Sequence, residues 1–321
     1  MLRRGHVGEP IRDLQARLAG VGIDTAPDRP GLFGEGTEAA VRAFQQARGL
    51  HVDGICGPQT WGSLVEAGYR AGDRLLYHAS PPLRGDDIAA LQRRLGALGF
   101  DAGRVDGIFG ERTQRALIDF QRNAGLTTDA VCGPAAWESL DRLGSHADDP
   151  EPVVGVRERE ALRQSPRTLL GRRIVIGDAG GLSALADAVR RALAERGALA
   201  LVVEHPDGSA QAEQANGMEA HVYLGLVSTE GECAIAYYGA HGFESPGGRH
   251  LAEALSRELG PVLPGGAPAI TGMALPVLRE TRMPAVVCEL GPPWPFVVKG
   301  RSLAQAVGRA MDAWVNAFDR V

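Results

Sequence analysis

An internal duplication constrains this chain more than any other feature. Leu14-Gln15-Ala16-Arg17-Leu18 returns as Leu91-Gln92-Arg93-Arg94-Leu95, and Phe33-Gly34-Glu35 as Phe109-Gly110-Glu111. Phe44-Gln45 returns as Phe120-Gln121, Asp53-Gly54-Ile55-Cys56-Gly57-Pro58 as Asp129-Ala130-Val131-Cys132-Gly133-Pro134, and Trp61 as Trp137. Residue 14 recurs at 91 and residue 33 at 109, so the offset falls from 77 to 76 and one residue differs in the first long loop. One supersecondary unit therefore occurs twice in tandem.

Each unit reads as three helices. Leu14 and Leu18 lie one turn apart in the first. Ala40, Val41 and Phe44, or Ala116, Leu117 and Phe120, share one side of the second, which starts near Glu35 or Glu111. Gly49 and Gly125 stand where a helix end favours positive φ. Pro58 and Pro134 suit the first position of the third helix. Asp106-Gly107 marks a turn. The repeated Phe and Trp residues are read as core.

The remaining composition excludes several classes. The chain has 321 residues, 44% hydrophobic and 23% charged, enough for two or three globular domains. A net charge of −5 argues against nucleic acid as the partner. No apolar run approaches the ~18 residues of a membrane span. Met1-Leu2-Arg3-Arg4-Gly5-His6 leads into no apolar segment, so a signal peptide is not expected and a cytoplasmic location is. Cys56, Cys132, Cys233 and Cys288 form no Cys-x-x-Cys pair, and they read as small reduced packing residues.

Ser145–Val154 is acidic, carries two prolines and suits a stiff solvated linker. Val156–Gln164 could form a short helix. Beyond it, strands are predicted at Arg173–Ile176, Leu199–Val203, His221–Val227, Ala234–Tyr238 and Ala285–Glu289. Helices are predicted at Ala184–Arg196, Gly248–Leu259 and Ser302–Arg320. The last places Leu303, Ala306, Val307, Ala310, Met311, Trp314, Val315 and Phe318 on one stripe. Alternating strands and helices predict one α/β domain with a mixed sheet flanked by helices. The domain expectation is 1–72 and 73–145 for the repeats, 146–170 for the linker and 171–321 for the α/β part. Ile174–Gly181 reads as a buried strand ending in a glycine turn, where ligands of open α/β sheets bind. Glu289 closes an apolar run, and a carboxylate there has either a partner or a function.

Two resemblances can now be named. The units Leu-Gln-x-x-Leu, Val-Asp-Gly-Ile-Phe-Gly-x-x-Thr, Ala-Leu-x-x-Phe-Gln and Asp-Gly-Ile-Cys-Gly-Pro-x-Thr resemble the helical peptidoglycan-binding domain of many cell-wall hydrolases, over about residues 6–70 and 82–143. This implies a shallow groove for peptidoglycan stem peptide, on a fold that also serves as scaffold or docking module. The second half, over about residues 171–320, resembles the zinc-dependent N-acetylmuramoyl-L-alanine amidases of the Amidase_3 type. Ile174–Gly181 is similar to Ile-Val-Ile-Asp-Pro-Gly-His-Gly-Gly, and Ala220–Val227 to Ala-Asp-Leu-Phe-Ile-Ser-Ile-His. Leu275–Gly291 is similar to the family's leucine-Arg-Pro-Ala-Val-x-x-Glu-x-Gly segment. The whole arrangement resembles amidase-like proteins of mycobacteria and their actinobacterial relatives.

That family needs His, Glu and His on one zinc, with a further Glu for proton transfer. Here the opening turn is one residue shorter and has no histidine; Ala179 is the nearest equivalent. The loop that should bring the ligand glutamate is missing, since Leu182-Ser183-Ala184 leads straight into the helix. Val227 stands at the second histidine position, and Leu201–Asn216 looks shortened. Glu289 alone matches, on the catalytic glutamate, and Pro292-Pro293-Trp294-Pro295 replaces the tail after it. His205, His221, His241 and His250 are not paired at ligand spacing. The expectation is therefore a vestigial site near Asp178, Ala179, Gly180, Gly181 and Val227, with Glu289 as its catalytic remnant and no metal or cofactor. Peptidoglycan or its precursors, and a cell-wall synthesis enzyme, are the expected partners. The alternative is an active amidase holding zinc through other ligands.

Overall fold

A computed structural model describes residues 1–144, 153–291 and 294–318. The acidic part of the expected linker therefore lies outside the described residues. The chain divides into two compact units, Met1–Val154 with His241–Phe243, and Gly155–Ala240 with Glu244–Val321.

The first unit holds both repeats. Repeat 1 contains α1 (Glu9–Gly20), α2 (Glu35–Ala47) and α3 (Pro58–Ala67); repeat 2 contains α4 (Asp86–Ala97), α5 (Glu111–Asn123) and α6 (Pro134–Gly144). Ile11, Leu14, Leu18, Phe33, Val41, Phe44 and Leu64 form the first core. Ile88, Leu91, Leu95, Phe109, Leu117, Phe120 and Leu140 form the second. Gly49 and Gly125 do adopt positive φ, 63° and 69°. The repeated glutamines explain themselves once folded. Gln45 Nε2 donates to Asp53 Oδ1, the Ile55 carbonyl and Thr60 Oγ1, while its Oε1 accepts from Gly54 N. Gln121 repeats the pattern on Asp129, Val131 and Ala130. Buried amides thus tie each second helix to the turn before the third, a cheaper arrangement than leaving those turn groups unpaired. Leu2 pairs with Cys56, and Leu76 with Cys132, as isolated antiparallel bridges.

α7 (Val153–Gln164) leads into the second unit. That unit continues with β1 (Arg173–Asp178), α8 (Ser183–Ala194), β2 (Leu199–Glu204), α9 (Gly208–Gly217), β3 (Val222–Ser228), β4 (Ala234–Ala240) and β5 (Phe243–Glu244). Then follow α10 (Pro246–Leu259), β6 (Ala269–Met273), α11 (Pro276–Glu280), β7 (Ala285–Leu290) and α12 (Trp294–Asn316). The sheet is mixed, in the order β2-β1-β3-β7-β4-β5, with β6 also paired to β4. β2, β1, β3 and β7 run parallel, and β4 runs antiparallel to β7. One sheet face carries Ile174, Ile176, Leu224, Leu226, Val286 and Cys288, packed with residues of α8, α10 and α12 into the main core. The predicted stripe of α12 is buried from Leu303 to Phe318. Leu162 and Leu169, inside the stretch read as linker, join this core. Glu158 of α7 accepts hydrogen bonds from Ser245 Oγ (2.6 Å) and Gly247 N (3.2 Å), securing α7 at the start of α10.

Four elements lie beyond those read from the sequence: α9, β5, β6 and α11. α9 is Gly-Ser-Ala-Gln-Ala-Glu-Gln-Ala-Asn-Gly, too short of apolar residues to show a stripe. β6 is exposed over its first three residues and shows no alternation. α12 starts at Trp294 rather than Ser302, because the apolar stripe that marks it begins only at Leu303.

Candidate functional site

The carboxyl ends of β1, β3 and β7 lie side by side, because adjacent parallel strands end on the same side of the sheet. Asp178 registers with Leu226, and Val227 registers with Glu289. Residues in register share a sheet face. Val227 and Glu289 are therefore neighbours on the face opposite the main core, and both are half-buried. Asp178 projects onto the other face, with the residues that pack against α8, and is fully buried. The expected cluster is thus split: Val227 and Glu289 come together, Asp178 does not join them, and Ala179-Gly180-Gly181 forms the connecting turn. Asp178 Oδ1 accepts from Gly180 N at 2.8 Å and holds that turn, where Gly180 and Gly181 have φ of 117° and 86°. Its Oδ2 is buried and without a hydrogen-bond partner.

The space beneath the turn on the Glu289 face is filled. Gly177 of β1 and Gly225 of β3 are in register. The ring of Tyr223 lies against both, and a side chain at 177 would overlap its hydroxyl and the Gln211 side-chain oxygen. Tyr223 donates to Gln211 Oε1 from α9, and Gln211 Nε2 donates to the His205 carbonyl. Burial pushes the Tyr223 phenol well above its ordinary value, so it is a fixed hydrogen-bond donor and not a base. Sequence reasoning missed this group. The available signal was the pair Gly177 and Gly225, standing where the amidase motifs have Asp and Ser, on either side of an aromatic at 223.

The histidines lie elsewhere. His205 Nδ1 accepts from Asp207 N, capping the bend before α9. His221 Nδ1 accepts from Arg173 N at the amino end of the sheet. His241 sits in the turn after β4, and His250 lies on α10. Among the described residues, no three His, Cys, Asp or Glu side chains form a group that could hold a metal ion. The family's zinc does not fit the residues present: the turn lacks a histidine, Val227 offers no donor, and Tyr223 with Gln211 occupies the adjoining space.

Residues 7–64 and 84–140 match the peptidoglycan binding domain family, one match per helical repeat. Such repeats, joined to an α/β unit similar to cell-wall amidases, define a cell-wall protein of amidase-like, hydrolase fold with peptidoglycan-binding modules. The N-acetylmuramoyl-L-alanine amidase CwlM of Mycobacterium tuberculosis is 34% identical over 331 aligned residues, covering 90% of this chain and 81% of that protein. The chain belongs to the CwlM family. The N-acetylmuramoyl-L-alanine amidase CwlL of Bacillus licheniformis is 30% identical over 164 residues, 44% of this chain and 46% of that protein. The zinc D-Ala-D-Ala carboxypeptidase of Streptomyces albus G is 46% identical over 68 residues, 20% of this chain and 26% of its own length. Among solved structures, the amidase Ami1 of Mycobacterium smegmatis overlays 47% of this chain and 99% of its own, with 13% identity and a TM-score of 0.40.

Proposed function

We propose that this chain binds peptidoglycan or its precursors through its helical repeats and serves cell-wall synthesis as a non-catalytic regulator or scaffold. The observation that carries this reading is the pair Val227 and Glu289, in register at the strand ends. An isopropyl group stands where the amidase motif has a metal-binding histidine, beside the one glutamate that is kept. Magnitude supports the same reading. Zinc lowers the pKa of its water from ~15.7 to ~7, about 9 units. At ~1.36 kcal/mol per unit that is about 12 kcal/mol of hydroxide stabilisation. A lone general base supplies ~10²–10⁴-fold, at most about 6 kcal/mol. Glu289 by itself falls far short of amide hydrolysis. A synthesis enzyme as protein partner belongs to the same proposal, since a retained fold without its chemistry is useful only through what it binds.

The names of the relatives favour a second reading, an active zinc amidase cleaving the bond between N-acetylmuramic acid and L-alanine. Metal analysis with a muropeptide assay on the purified full chain separates the two. The expected result is no stoichiometric zinc and no stem peptide released, while the chain still sediments with insoluble peptidoglycan. One equivalent of tight zinc, with cleavage abolished by Glu289→Ala, would overturn the non-catalytic reading. Capture of cell-wall synthesis enzymes by the full chain supports the regulatory role; retention of insoluble peptidoglycan and of no protein refutes it.

A further inference from the structure

The open edge of the sheet at β2 has properties that edge strands ordinarily avoid. β2 is Leu199-Ala-Leu-Val-Val-Glu204 and pairs with β1 along its whole length. Leu199 N donates to the Arg172 carbonyl and His205 N to the Asp178 carbonyl. The odd-numbered residues of the strand therefore turn their backbone groups toward β1. Ala200, Val202 and Glu204 turn theirs outward, and no strand among the described residues pairs with them. Natural edges are blunted by lysine, proline, a bulge or an inward charge. This one has none of these within Leu199–Val203. It also exposes leucine: Leu199 is 59% and Leu201 52% exposed on one face, beside the buried Val203.

We propose that a second copy of this chain covers this edge, β2 pairing antiparallel with β2 about a two-fold axis through Val202. The outward residues fix that register. Antiparallel residues that exchange both backbone bonds lie directly opposite one another. With the axis at Val202, Val202 faces its own copy and Ala200 faces Glu204 in both directions, giving six backbone hydrogen bonds. The next step outward in each direction would pair Ala198 with Pro206, which has no N–H, so the ladder ends where the strand ends. On the leucine face, Leu201 falls opposite Val203 of the other copy, and the two Leu201 side chains become diagonal neighbours across the axis. On the other face, the two Val202 side chains form a β-branched cross-strand pair. The strand is thus its own complement in hydrogen bonding, in apolar contact and in the absence of like charges in opposition. The contact is small. A single pair of short strands with two leucines per copy lies below ~1,200 Å², the range of weak and transient association. The dimer is therefore expected to form in the tens of micromolar and above, joining two seven-stranded sheets into one.

Sedimentation equilibrium of the full chain tests this, from about 1 to 500 µM. The expected result is a monomer–dimer equilibrium, with mass rising from 33.9 kDa toward twice that value. Leu201→Lys puts a charge at an exposed position, and Val202→Pro removes an outward N–H from an edge strand, where proline is tolerated. Each should weaken association at least tenfold while leaving the far-ultraviolet circular dichroism unchanged. A monomer throughout the range overturns the proposal, as does a dimer insensitive to both substitutions.

Discussion

Replacing Gly177 by alanine tests the filled site most directly. The new methyl group would overlap the Tyr223 hydroxyl and the Gln211 oxygen, in a region where Tyr223 is 1% exposed and Gln211 3%. Overpacking a well-filled core costs about 1–3 kcal/mol. Forcing the phenol from its acceptor removes a buried hydrogen bond, about 1 kcal/mol net. Alanine regains about 0.5–1 kcal/mol over glycine in a strand. The expected loss is therefore about 1–3.5 kcal/mol. At ~1.36 kcal/mol per decade this is about 5–400-fold faster amide exchange for core amides of the second unit. Hydrogen exchange of peptides spanning 173–178 and 222–228 in the full chain reads it. Tyr223→Phe alone leaves Gln211 Oε1 without its donor, about 1–2 kcal/mol. In the double variant the methyl group takes the space of the lost hydroxyl, so the combined cost should fall below the sum by about 1–2 kcal/mol. Gly177→Ala within about 0.5 kcal/mol of the parent would refute the close packing, and so would simple additivity.

Other outcomes follow from single residues. Asp28 accepts the N–H groups of Gly34, Gly36 and Thr37 at the start of α2; Asp28→Ala should cost about 2 kcal/mol in thermal or urea melts. Burial pushes the thiols of Cys56 up to about 11 and of Cys132 and Cys288 up to about 12. In native protein at neutral pH, Cys233 should titrate first with a disulfide reagent and the other three only on unfolding. Burial first, then Arg173 and Arg172, lowers the His221 pKa. The unfolded chain then takes up the proton first as pH falls, so the His221 contribution to stability is constant above about 6.5 and declines below it. His221→Asn keeps an acceptor for Arg173 N, and its melting temperature should fall less than the parent's between pH 7 and 5; equal slopes would exclude His221 as the source.

How far the sequence speaks depends on what kind of signal each element leaves. The repeats were legible because duplication doubles every helical period and every capping glycine. β1, β3 and β7 were legible as apolar runs, and α12 by its stripe. α9 was not, because its work is done by Gln211 and small residues that touch distant groups. The strand-end site was half legible. Val227 and Glu289 are neighbours through sheet register, as the family resemblance implies. Asp178 looked like a third member because it adjoins the glycine turn, yet strand alternation sends it to the other face. Proximity in sequence carried that expectation, and the two-residue period of a strand decides against it.

The fit of Tyr223 over Gly177 and Gly225 also bears on how these positions can vary. The space beneath the turn holds a phenol and an amide bonded to each other, resting on two residues that have no side chains. A single step at 177 meets a collision, and a single step at 223 strands Gln211. Positions 177, 211 and 223 are therefore locked together, and a change at one is tolerated only with a matching change at another.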